Sequence, residues 1–302
     1  MRKCIFVCLL VILCLALPVR AAAASLEPDR LCTLELEYSM DDLAFGGLEI
    51  AIYRVAEAFP DGTFQLISPY DTFPVNIHGI TSQQEWQDVA TTLVAYITAQ
   101  QVSPSYTAIT DNDGIAYWSQ LPTGLYLVRG VVAQTQEGTY IFRDFMIYLP
   151  TPMEDDTFQY DLTAEPKCTA YSAPTAYQVV KLWNDFGLEE QRPVSIIVDI
   201  YKNGQLHETV TLSQENEWRY SWEDADGAQW HVVERDVPEN YQVAITAHET
   251  VFTITNTNHD EPPSPPDTGD LFPVMLAAVC LCLAGFVMVL LAIRGSKHEA
   301  KK

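Results

Sequence analysis

Residues 194–201 read Val-Ser-Ile-Ile-Val-Asp-Ile-Tyr, and Asn203-Gly204 follow directly after Lys202. The apolar, β-branched run reads as a strand. Asn-Gly is the pair that a two-residue hairpin turn favours, because both positions take positive φ. Residues 206–212 return as the partner strand. Working outward, Trp218-Arg219-Tyr220-Ser221-Trp222 alternates again, and Trp230-His231-Val232-Val233-Glu234 is another strand. Val237-Pro238 and Tyr241 come next, and Phe252-Thr253-Ile254-Thr255-Asn256-Thr257 closes the segment. Upstream, Gln178-Val179-Val180-Lys181-Leu182-Trp183 opens it. Short alternating strands separated by turn signals are the pattern of a β-sandwich.

Several of these positions form one spaced pattern: Val179, Lys181 and Trp183; Arg192-Pro193; Asn203-Gly204; Val232, Glu234, Val237, Pro238 and Tyr241; and the strand 252–257. This pattern resembles the collagen-adhesin B-type (Cna B) domain, over about residues 176–258. The resemblance implies a spontaneous isopeptide bond between Lys181 on the first strand and Asn256 on the last, assisted by the buried acid Glu234. The chemistry requires these residue types. Burial disfavours charge, so it lowers a lysine pKa and raises a carboxyl pKa. A neutral amine can then attack the amide carbonyl while a protonated Glu234 polarises that carbonyl, and ammonia leaves.

Residues 25–168 match the same kind of domain less completely. Gly46-Gly47-Leu48-Glu49-Ile50-Ala51-Ile52-Tyr53-Arg54-Val55 resembles an early strand of pilin-type B domains, and residues 110–128 resemble their T-D-x-x-G…L-P-x-G-x-Y-x-V segment. Between them an inserted helix is predicted. Ser82 and Glu85 form its capping box, and Trp86, Val89, Ala90, Leu93 and Ile97 recur as a core-facing stripe. The expected fold class is therefore all-β: two tandem Ig-like/prealbumin-like β-sandwich domains, the first with an inserted helix, joined across 168–175. The first lacks the bond-forming set. Its first strand, 31–38, has no Lys, Arg129 stands where the family has its acid, and 158–167 has no Asn. No isopeptide bond is expected there. Cys32 and Cys168, near the two strands such a bond would join, suggest a disulfide in its place, worth ~4–5 kcal/mol by chain entropy. Residues 158–167, ending Pro166-Lys167, resemble the pilin motif whose lysine accepts the next subunit, which makes Lys167 the candidate pilin lysine.

Both ends of the chain carry export signals. Residues 1–24 combine Arg2 and Lys3, an apolar run and the small residues 21–24, the pattern of a signal peptide. At the other end, residues 259–270 are a proline-rich linker, residues 271–293 an uncharged run long enough to span a bilayer, and residues 294–302 a basic tail. Pro265-Pro266-Asp267-Thr268-Gly269 resembles the LPxTG sorting signal of sortase substrates, with Pro265 in place of Leu. The resemblance implies cleavage between Thr268 and Gly269 and transfer of the Thr268 carboxyl to an amine.

Composition limits the remaining functions. Residues 25–268 hold 10 Lys+Arg against 38 Asp+Glu, a net charge of −28. So acidic a chain has no basic stripe to meet phosphates, which argues against nucleic acid. No nucleophile elbow, metal-ligand cluster or phosphate loop is visible, and His78, His207, His231, His248 and His259 are scattered. The sequence thus predicts neither cofactor nor metal, and no enzyme beyond self-catalysed bond formation. The expectation is an exported structural protein, a pilin subunit or adhesin stalk, fixed to the cell wall through a transient membrane-anchored precursor. Its expected partners are a sortase and either peptidoglycan or other pilin subunits. The alternative is a module displayed singly that binds a host surface protein or glycan.

Overall fold

The computed structural model describes residues 26–153, 157–185 and 187–258. The signal segment, the sorting residues Pro265 to Gly269 and the apolar run 271–293 lie outside them. Among the described residues no helix is long and apolar enough to cross a membrane. The described residues are mostly β-sheet, with one α-helix of 17 residues.

The first half contains β1 (Cys32–Glu37), β2 (Glu49–Ala58), β3 (Phe64–Leu66), helix α1 (Gln83–Ala99), β4 (Tyr106–Ile109), β5 (Ile115–Leu121) and β6 (Gly124–Val128). It continues with β7 (Val132–Gln134), β8 (Thr139–Phe142), β9 (Phe145–Leu149), β10 (Asp161–Ala164) and β11 (Cys168–Tyr171). One sheet runs β10-β1-β5 and a second runs β9-β6-β2-β3, with β4 also paired to β2. A small third sheet runs β11-β8-β7. Residues 168–171, expected as part of a linker, are therefore a strand paired with β8, and the connection between the halves shrinks to residues 172–174.

The second half contains β12 (Thr175–Asn184), β13 (Ser195–Lys202), β14 (Gln205–Ser213), β15 (Arg219–Asp224), β16 (Trp230–Glu234), β17 (Tyr241–His248) and β18 (Val251–Asn258). The sheets are β15-β12-β18-β17 and β14-β13-β16. The β13–β14 hairpin turns on Asn203 (φ 49°) and Gly204 (φ 79°), as the Asn-Gly pair predicts.

Two cores hold these sheets. The first lies inside the first half and includes Leu34, Leu36, Ile50, Ile52, Tyr126 and Phe142. The second begins on the opposite faces of β2 and β6, at Tyr53, Val55, Leu125 and Leu127. It passes through α1 and continues without a break into Val179, Val198, Val232 and Ile254 of the second half. Because side chains alternate along a strand, β2 and β6 feed both cores. α1 starts where Ser82 Oγ accepts from Glu85 N while Glu85 Oε2 accepts from Ser82 N, the reciprocal cap that the sequence predicts. From Val89 to Thr98, however, every residue is buried, not only a stripe. The helix is packed on both sides, against β9 and β6 of its own half and against β16 and β17 of the other.

Candidate functional site

β12 and β18 lie parallel, with Lys181 opposite Ile254 and Trp183 opposite Asn256. Alternation turns Val179 and Lys181 inward on β12, and Phe252, Ile254 and Asn256 inward on β18. Glu234 ends β16, in the facing sheet. The three groups read from the sequence thus meet between the two sheets. Lys181 is 3% exposed, and Glu234 and Asn256 are 0% exposed.

Their contacts are specific. Lys181 Nζ lies 3.9 Å from Glu234 Oε2. Asn256 Nδ2 donates to Glu234 Oε1 at 2.9 Å. Lys181 Nζ also donates to the Leu182 carbonyl at 2.7 Å and sits 3.8 Å from the centre of the Trp183 ring. Glu234 Oε2 and Asn256 Oδ1 are buried without a hydrogen-bond partner. Burial lowers the Lys181 pKa, against the opposing pull of Glu234 and Asp185. Burial raises the Glu234 pKa, against the Lys181 charge and the Asn256 hydrogen bond. Both shifts favour the neutral forms, amine and carboxylic acid. The sequence reading places Glu234 at the amide carbonyl. In the structure its carboxyl instead reaches the amide nitrogen.

The residues after β12 close over this site. Arg192 grips Asp185 with two hydrogen bonds, at 2.7 and 2.6 Å, and the Tyr241 hydroxyl donates to the same carboxylate at 3.2 Å. These bonds hold the Asp185 pKa below its usual value. Trp183 fits beneath, edge-on to Trp218 and Tyr241 at centroid distances of 5.7 and 5.4 Å. Arg192 and Tyr241 are part of the sequence pattern; Asp185 carries no signal of its own in it.

The other sequence-predicted residues lie elsewhere. Lys167 is exposed between β10 and β11, and its carbonyl accepts from Arg143 N at 3.1 Å. In the first half the equivalent parallel pair is β1 with β10, where Leu34 faces Leu162. Arg129 Nη2 donates to Thr98 Oγ1 at 3.1 Å. Cys32 and Cys168 are free thiols, so the disulfide expected between them is not formed in this structure. Cys32 pairs with Leu121 on β5, whereas residues 165–167 carry the chain away from β10 before Cys168 pairs with Phe142 on β8. Burial pushes the Cys32 thiol up to about 11 and raises that of Cys168. Among the described residues no cluster of His, Cys, Asp or Glu could hold a metal.

Two positions that sequence reading missed join the halves. His231 Nε2 lies 3.0 Å from Asp144 Oδ2, and Gln229 Nε2 donates to Asp144 Oδ1 at 3.2 Å. The Tyr96 hydroxyl donates to the Glu234 carbonyl at 3.3 Å.

Residues 177–257 match the family model of the Cna protein B-type domain. Among the solved structures similar to this chain are three bacterial surface proteins. A single B repeat unit of the collagen-binding surface protein Cna of Staphylococcus aureus is 11% identical, with 76% of this chain and 98% of that chain covered and a TM-score of 0.27. The minor pilin GBS52 of Streptococcus agalactiae is 14% identical, covering 78% and 99%, with a TM-score of 0.28. The major pilin SpaD of Corynebacterium diphtheriae is 13% identical, covering 77% of this chain and 65% of that one, with a TM-score of 0.31. No curated protein sequence matches the chain.

Proposed function

We propose that this chain, whose residues 177–257 match the Cna B-type model, is a covalently stiffened surface protein, a pilin subunit or adhesin stalk. It would be exported and joined by a sortase at Thr268 to peptidoglycan or to another subunit. The observation that carries the reading is the convergence of Lys181, Glu234 and Asn256 in one buried core, where burial favours the neutral amine and the neutral acid.

The reaction follows from the contacts. Lys181 Nζ attacks Asn256 Cγ, and the bond from Cγ to Nδ2 breaks. Glu234 takes a proton from Nζ at Oε2 and delivers one from Oε1 to Nδ2, which leaves as ammonia. Glu234 ends as it began, so the acid acts as a proton shuttle. Proximity supplies most of the acceleration, because the amine and amide are held together before reaction.

The test is the intact mass of the protein. The bond makes it lighter by about 17 Da, the ammonia expelled in acyl transfer. Lys181→Ala should show the full mass; a wild-type chain at full mass would refute the bond. Polymerisation is a separate question. If Lys167 accepts Thr268 of the next copy, cells carrying their own sortases should show ladders that survive detergent, and Lys167→Ala should abolish them. Monomers alone in the wild type would favour single anchoring to peptidoglycan. One observation favours the alternative of ligand display: a cleft of ≈340 Å³ between the halves, lined by Tyr177, Trp230, Arg143 and His231. Its size suits a small ligand or a side chain of a host surface protein or glycan.

A further inference from the structure

β16 carries Glu234 on the outer edge of a three-stranded sheet. An edge strand of a sandwich ordinarily buries one face and shows the other to water. All five residues of β16 are buried. Trp230, Val232 and Glu234 alternate with His231 and Val233, so the strand has two covered faces. One meets the core of its own half, where Lys181 and Asn256 lie. The other meets the first half. There His231 reaches Asp144, Gln229 just before the strand reaches the same carboxylate, and α1 packs along it. At the reacting end, the hydroxyl of Tyr96 on α1 holds the carbonyl of Glu234 itself. Asp144 is in turn fixed by Gly130 N at 2.8 Å.

We propose that the first half is a working part of the bond-forming site in the second. α1 and Asp144 clamp β16 from outside, and Tyr96 and Asp144 are positioning residues for Glu234. The proposal rests on the reading of Lys181–Asn256 as an isopeptide bond. Its physical basis is distance. A proton shuttle works only while its two oxygens reach both nitrogens, and Oε2 is already 3.9 Å from Nζ. Freeing an edge strand by a fraction of an ångström removes that overlap.

The experiment follows bond formation in time. The full chain is synthesised cell-free in a short pulse, and samples are quenched in acid. The mass loss of about 17 Da is timed from the completion of folding, read separately by circular dichroism. Tyr96→Phe removes one hydroxyl and should slow the loss about three- to tenfold, the span that one hydrogen bond controls. Asp144→Asn keeps the shape, weakens the hold on His231, and should slow it similarly. Thr92→Val is the control. It cuts the hydrogen bond between α1 and Ile245 on β17, a strand that holds none of the three reacting groups. That variant should react at the wild-type rate. Wild-type rates in both Tyr96→Phe and Asp144→Asn would overturn the proposal. Equal slowing in Thr92→Val would overturn it as well, since the effect would then be general loosening of the helix. If Tyr96→Phe fails to fold, Asp144→Asn decides by the same criterion. A wild-type chain that never loses the mass would instead defeat the underlying bond reading, a distinguishable result.

Discussion

Lys181 and Glu234 show how two ionisable residues can sit at 3% and 0% exposure in a folded protein. Burial shifts the pKa of each toward its neutral form, and each is a partner for the other. Such a pair, unreacted, is a weak source of stability, because desolvation offsets most of the attraction. The proposed bond to Asn256 would instead make Lys181 close a covalent loop from 181 to 256, restricting the unfolded chain. We predict that Lys181→Ala lowers stability by ~3–5 kcal/mol, or roughly 10 °C in Tm, as measured by thermal unfolding. Arg192 makes a second prediction. Its loss removes the charged partner of Asp185, whose side chain is 1% exposed, and leaves the Tyr241 hydroxyl bonded to it. Arg192→Ala should cost about 2–4 kcal/mol in denaturant unfolding, well above a surface ion pair. Lys181, Glu234 and Asn256 were legible in the sequence because each sits at a fixed place in a strand pattern. Asp144 and Tyr96 were not. Their partners lie 87 and 138 residues away, and a single Asp or Tyr carries no local signal of such a contact.

At the scale of elements, the hairpin at 203–204 and the strands of the second half follow directly from alternation and turn chemistry. The helix was legible at its start, through Ser82 and Glu85, but not in its surroundings. A stripe of apolar residues predicts one covered face. Thr91, Thr92 and Thr98 complete the circumference, and being small and polar they read as solvent-facing. In the structure their hydroxyls are satisfied by Gln87 O, by Asp88 O with the backbone of Ile245, and by Arg129. The same contacts protect β17, the edge of its sheet. Its outward Val243 N and Ile245 N are taken by the Pro74 carbonyl and Thr92 Oγ1, so the edge is closed to strand addition. The cap itself predicts a pH dependence. Backbone N–H groups of Thr81 and Ser82 hold the Glu85 pKa down to about 2. A carboxyl whose folded pKa is depressed stabilises fully above its unfolded pKa, near 4.3, and loses that contribution as pH falls towards about 2. The decline in stability over that window should therefore be shallower in Glu85→Gln than in the wild type. Ser82→Ala, by loss of the N-cap, should cost about 1 kcal/mol at neutral pH.

At the scale of the molecule, the sequence suggests two tandem sandwiches; if Lys167 accepts the next subunit, tension between Lys167 and Thr268 would pass only through the second. The structure modifies that path at its beginning. Residues 168–171 pair with β8, so the segment just after Lys167 is tied to the first half by four residue pairs before the chain reaches β12. Beyond it, β12 and β18 are parallel over seven pairs, from Gln178–Val251 to Asn184–Thr257. A pull on the start of β12 and the end of β18 loads that ladder in shear, with its hydrogen bonds strained together. A Lys181–Asn256 bond would carry the load across the ladder whatever becomes of the hydrogen bonds. Pulling a single molecule between position 167 and the end of β18 separates these elements. In the wild type, β11 should peel first, and the chain between 181 and 256 should stay closed up to forces that break covalent bonds. In Lys181→Ala that 75-residue loop should open in one further step of roughly 250 Å, at ~3.3–3.6 Å per residue. A wild-type molecule that shows the same step carries no bond. A Lys181→Ala molecule without it would mean that the shared core, and not the bond, holds the second half closed under load.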